Sequence, residues 1–121
     1  MAEPLSILPQ KPLAPAEQKS LVTALADLSR VVHEPARLAI LTVLVSCESA
    51  DFTFLETATG LTKGNLSVQL SRLEEAALIS VEKAPRKNRT VTTAHITAEG
   101  GYQLGRYWRQ MEEIRKAGAE R

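Results

Sequence analysis

The stretch "GLTKGNLSVQLSRLEEAALI", Gly60 to Ile79, gathers the side chains best equipped for chemistry in this sequence: Lys63, Asn65, Ser67, Gln69 and Arg72. Their chemistry is hydrogen bonding. Lys63, Asn65 and Ser67, at the start of a helix, can bond phosphate oxygens and set register. The unpaired N–H groups of the same turn present a favourable dipole to an anion. Gly64 has no side chain to hold a phosphate or a base at a distance. Asn65 and Gln69 each carry the donor and acceptor that an adenine edge requires, Arg72 can reach guanine, and Val68 suits a thymine methyl. The bland alternative is a solvated helix face whose glycine only weakens its start.

A second group lies nearby in "KAPRKNRT", with Lys83, Arg86, Lys87 and Arg89 around Asn88. The net charge of +1 conceals how these charges are placed. Residues 1–62 hold four Lys/Arg against seven Asp/Glu, 63–90 hold six against three, and 91–121 hold five against four. Only the middle is basic, and it spans both polar groups, as a polyanion-binding face would. Taken alone, a run of four cations is as readily a solvated surface.

Other chemistries are poorly supplied. His33 and His95 are the only histidines and Cys47 the only cysteine. His33 falls at a helix boundary and His95 in a strand, both ordinary structural places. No glycine-rich phosphate loop, carboxylate pair or nucleophile motif is present, so no catalytic residues and no cofactor are expected. No Cys/His/Asp cluster has metal-ligand spacing, so no metal site is expected. Cys47 sits inside an apolar helical pattern and reads as a buried core thiol, with a redox switch as the minor alternative.

Elements to position these groups follow from the apolar spacing. The 121 residues, 44% apolar and 4% aromatic, predict one mainly α domain with a small β part (α+β). Prolines 4, 9, 12 and 15 make residues 1–15 an extended arm. Leu21, Leu25, Leu28 and Val32 form a stripe on a helix over 16–33. Pro35 suits the first position of a second helix running to Cys47, nearly apolar all round and so central to the core. Thr53 and Glu56 have the spacing of a capping box for a short third helix, which Gly60 stops. Leu61 is the core contact of the turn and Thr62 an N-cap. Leu66, Leu70, Leu73 and Ala77 then share the buried face of a helix over 63–77. Ile79–Val81 and 91–96 are β-branched strands of a two-stranded ribbon with its tip at 84–90. Thr97 caps a last helix over 98–117, with Leu104, Trp108, Met111 and then Ile114 or Arg115 along one side.

That order, helix, helix, short helix, turn, helix, ribbon, helix, is the order of a winged helix-turn-helix. From "VVHEPARLAIL" through "FLETATGLTKGNLSVQLSRLEEAALISVEK" to "VTTAHITAEG", residues 31–100, the chain resembles the MarR/ArsR-like group of transcription regulators. The resemblance implies double-stranded DNA as partner, helix 63–77 as the recognition helix in the major groove, and the ribbon tip as a wing on the adjacent backbone or minor groove. Arg86, Lys87, Asn88 and Arg89 would be the wing contacts. Metal sensing, known among the arsenic-regulator relatives, lacks its ligands here.

One such helix reads too few base pairs for a genomic address, so a homodimer on two half-sites is expected. The apolar stripes outside the central helices would form its interface: Leu21, Leu25 and Leu28 on the first helix, and Leu104, Tyr107, Trp108, Met111 and Ile114 on the last. Packing onto their own domain is the alternative. With no room for an activating domain, a repressor is expected over an activator. No stretch is long and apolar enough to span a bilayer, the longest being Leu38–Val45, and no leader pattern opens the chain, which implies a cytoplasmic protein. The rival reading keeps the fold and gives it a protein partner in place of DNA.

Overall fold

The computed structural model describes residues 15–119, with side chains from residue 21; the expected proline-bearing arm lies outside the described residues. Its elements are α1 (Pro15–Ala26), α2 (Pro35–Cys47), β1 (Ser49–Asp51), α3 (Phe52–Thr59), α4 (Lys63–Glu75), β2 (Ile79–Arg86), β3 (Arg89–Ile96) and α5 (Ala98–Ala119). The strands form one antiparallel sheet in the order β1-β3-β2. The described chain divides into two compact units, Ser29–Arg106 and a terminal unit made of residues 15–28 together with residues 107–119.

Within Ser29–Arg106, local chemistry fixes most element boundaries. Glu34 caps α2 by accepting from the Arg37 N–H at 2.9 Å, and Pro35 opens the helix where its missing N–H costs nothing. Gly60 ends α3 in the left-handed region (φ 79°), its N–H reaching the Glu56 carbonyl at 3.0 Å. Thr62 caps α4 by accepting from the Asn65 N–H at 3.2 Å. Ala77 takes a positive φ of 65° to close α4, and the Leu78 N–H returns to the Leu73 carbonyl at 3.0 Å.

The core follows from the helical spacing. Val32, Ile40, Leu41, Leu44, Leu55, Leu66 and Leu73 are fully buried, and Leu70, Leu78, Ile79 and Ala94 nearly so. Removing any one large aliphatic side chain from such a site costs about 2–5 kcal/mol. Thr97 joins α4, the sheet and α5: its hydroxyl donates to the Ala77 carbonyl at 2.8 Å and accepts from the Gly100 N–H at 2.9 Å. Gly100 is obligatory here, because a Cβ would press into the Leu78 carbonyl oxygen.

Several expectations are corrected. The first helix stops at Ala26, not near His33; residues 27–34 turn instead, with the Val32 N–H on the Ser29 hydroxyl at 3.3 Å. The cap of α3 is Asp51, which accepts from the Phe54 N–H at 2.8 Å, so Thr53 lies inside the helix and forms no capping box. The ribbon has a third strand, β1, against β3. Helix α4 ends at Glu75 and α5 extends to Ala119. Cys47 is exposed rather than buried, because it stands in the last turn of α2 beside exposed Val45 and Ser46, with its thiol on the Val43 carbonyl at 3.2 Å.

Candidate nucleic-acid interface

Helix α4 is two-sided. Leu66, Leu70 and Leu73 are buried, while Lys63, Gly64, Asn65, Ser67, Val68 and Arg72 are exposed and Gln69 is half-buried. A Cβ at Gly64 would meet no atom within 4 Å, so packing does not explain the glycine and the space before the first turn is open. Capping by Thr62 satisfies one amide of that turn, leaving others free to bond an external acceptor. The Lys63 ammonium reaches back to Glu56 at 3.1 Å, an exposed pair worth little and easily exchanged for a phosphate.

Gln69 differs from its neighbours. Its Oε1 accepts from Arg37 Nη1 at 2.8 Å, and its Nε2 donates to Asn65 Oδ1 at 3.0 Å. Arg37 is itself tied down, its Nε donating to the Val31 carbonyl at 2.7 Å and its Nη2 to the Arg30 carbonyl at 3.4 Å. The adenine-reading role expected for Gln69 therefore meets an amide already engaged at both ends. Arg37 escaped the sequence reading. Its one signal is that it is the sole charged residue in "PARLAILTVLVSC", an otherwise apolar helix.

The ribbon tip is tighter than the expected 84–90 loop. Arg86 pairs with Arg89 in the ladder, and only Lys87 and Asn88 turn, both at positive φ (49° and 67°). This is the two-residue type I′ geometry, whose twist matches that of the strands it joins. Pro85 is tolerated because β2 is an edge strand. The ladder sets Arg86 directly opposite Arg89, a like-charge pairing that an anion bound at the tip would relieve. All four tip residues are exposed, and no ion pair among the described residues involves Arg72, Arg86, Lys87 or Arg89. Beside the tip, where β3 runs past β1, an open groove of about 760 Å³ is lined by Arg86, Arg89 and Val91 of the hairpin and by Phe52 and Phe54 of α3.

In the terminal unit, Leu25 and Trp108 are each 49% exposed, and Leu21, Met111 and Ile114 are half-buried. Tyr107 and Trp108 meet edge to face, with ring centroids 5.2 Å apart. Leu21, Ala24, Ile114 and Ala117, with Asp27, Gln110 and Glu113 beside them, line a small open pocket within this unit. Leu28 and Tyr107 of this unit, and Leu104 of the other, are buried in the single chain, so their side chains do not form surface as the dimer expectation required. Glu112 and Arg115 pair at 2.6 Å, and the guanidinium holds the Glu112 carboxyl below its ordinary range.

His95 Nε2 lies 3.4 Å from Glu82 Oε1 across the sheet. Among the described residues no group of three or more His, Cys, Asp or Glu is placed to hold a metal ion, and no helix is long and apolar enough to cross a membrane.

Comparison with known proteins agrees with this architecture. A family model for the winged helix DNA-binding domain matches residues 36–115. An uncharacterized protein of Methanocaldococcus jannaschii is 29% identical over 87 residues, 72% of this chain and 95% of the relative. The structure of a transcriptional regulator homologue from Pyrococcus horikoshii superposes with a TM-score of 0.69 at 25% identity, covering 84% of this chain and 95% of that one. BpsR of Bordetella bronchiseptica, whose DNA binding is regulated by 6-hydroxynicotinic acid, shares the fold at a TM-score of 0.62 and 18% identity, over 84% of this chain and 76% of its own. With an exposed polar helix face, a cationic hairpin tip that forms no ion pair among the described residues, and this match over most of its length, the chain belongs to the winged helix DNA-binding domain family.

Proposed function

We propose that the protein is a sequence-specific repressor that acts as a homodimer, with α4 in the major groove and the β2–β3 hairpin on the neighbouring backbone or minor groove. The observation that carries this reading is the division of α4. Its leucines are buried to the last, while Lys63, Asn65, Ser67, Val68 and Arg72 stand in solvent around an unobstructed Gly64. Small and polar residues at the start of a helix braced by a preceding helix are what insertion into a groove requires. Arg86, Lys87 and Arg89, which form no ion pair among the described residues, supply charge for phosphates or for a narrow minor groove.

Dimerisation is supported by the terminal unit, where an exposed tryptophan and leucine accompany an open pocket lined in part by Leu21 and Ile114. Aromatic side chains so placed are common interface anchors.

Recovery of genomic fragments on the purified protein tests the proposal. The expected result is enrichment of inverted repeats whose half-sites lie about one helical turn apart. Recovery of single half-sites would remove the dimer from the account. No enrichment over random fragments, together with capture of a protein partner, would favour the rival protein-binding module.

A further inference from the structure

Arg37, Gln69 and Asn65 form a chain of hydrogen bonds with only one chemically allowed polarity. A guanidinium has donors and no acceptor, so the Gln69 atom that Arg37 meets at 2.8 Å must be the amide oxygen. The Gln69 atom facing Asn65 is then the amide nitrogen, a donor, and the Asn65 atom it meets at 3.0 Å must be Oδ1. Arg37 cannot swing away to release this order, being held by the Val31 and Arg30 carbonyls. The two arms of an amide diverge, so an Asn65 oxygen turned along the helix toward Gln69 leaves Nδ2, with its two hydrogens, turned away from it. Asn65 is exposed, and no intramolecular bond of its Nδ2 is formed among the described residues.

We infer that Arg37, acting through Gln69, is a positioning residue that fixes Asn65 as a hydrogen-bond donor, so that α4 selects a guanine at the Asn65 position rather than an adenine. Guanine offers two acceptors on its major-groove edge, N7 and O6, which one amino group can serve. Adenine offers an acceptor and a donor, and reading both needs the asparagine oxygen that Gln69 already occupies. The inference rests on the proposed placement of α4 in the major groove, and it replaces the adenine preference that the isolated side chains of Asn65 and Gln69 suggest.

Selection of duplexes from a random pool by the full-length protein and its variants tests this. The base whose preference disappears in Asn65→Ala identifies the Asn65 contact. That base should be guanine, and 7-deazaguanine at the same place should weaken binding by the wild type about tenfold while leaving Asn65→Ala unaffected. Arg37→Met should blur the preference, but it also breaks the ties to Val31 and Arg30, so Gln69→Glu is the deciding variant. The new carboxylate still accepts from Arg37, yet it offers Asn65 only an acceptor and forces the amide to reverse. The selected base should then change to one with an exposed amino group, adenine or cytosine, whatever happens to overall affinity. An adenine in the wild-type site, no base dependence on Asn65, or an unchanged guanine in Gln69→Glu would each overturn the inference while leaving DNA binding intact. Failure of the wild type to retain any duplex at low salt would instead refute the functional proposal, and this inference with it.

Discussion

The two compact units bury their apolar residues to different degrees. All seven of the largest fully buried side chains, from Val32 to Leu73, lie in Ser29–Arg106. The terminal unit has Leu28 and Tyr107 at 4% exposure, but Val22 at 66% and Leu25 and Trp108 at 49%. Ser29–Arg106 therefore completes a fully buried core within the chain, although Val45, Phe54, Val68 and Tyr102 stand about half exposed on it, whereas the described residues of the terminal unit include no large side chain that is fully buried. The difference teaches where each unit's remaining chemistry points. The first carries its exposed polar and cationic groups on elements backed by that buried core, as a groove-reading element must. The second presents apolar area, which is favoured to meet another apolar surface.

The contrast can be attacked by mutation, the largest effect first. Leu66→Ala removes a fully buried side chain directly behind the exposed face of α4, and should destabilise the protein by about 2–5 kcal/mol in denaturant titration. A cost below about 1 kcal/mol would mean that the core behind α4 is loose. Gly100→Ala forces a methyl against the Leu78 carbonyl, where β2 begins and α5 starts. It should cost about 1–3 kcal/mol, seen as a lower melting temperature, because the neighbour is backbone and cannot rotate aside. Trp108→Glu should leave folding nearly unchanged, since the indole is half exposed already. Its expected effect is on assembly: light scattering at micromolar concentration should give a dimer for the wild type and a monomer for the variant. A monomeric wild type would erase the inferred purpose of the apolar terminal surface.

Much of the fold was legible because single local rules dominated. The four-three spacing of Leu66, Leu70 and Leu73, the Thr62 cap, Pro35 and Gly60 each had one good physical solution, and the structure adopts it. The failures came where a rule was met by more than one residue or depended on distant partners. Thr53 and Glu56 satisfy the capping-box spacing, but Asp51 ends β1 just before and caps first. A strand of three residues, β1, is too short to show alternation. The type I′ turn lacked its usual Asn-Gly signal, with Lys87 and Asn88 in its place. For the candidate site, residue types pointed to α4 and the hairpin. The bond from Arg37 to Gln69 spans 32 positions, and no periodicity within either helix could reveal it.

The salt dependence of duplex binding, followed by fluorescence anisotropy for the wild type and for Lys63→Ala/Asn65→Ala/Arg72→Ala, tests the central claim most directly. If α4 and the hairpin together neutralise about six phosphates per subunit, the wild type should show a log–log slope near −5 per subunit. The α4 variant, losing two cations, should show a slope shallower by about two and no preference among sequences. Equal slopes and equal sequence preference for the two proteins would contradict the account, because DNA would then be held by some other face of the molecule.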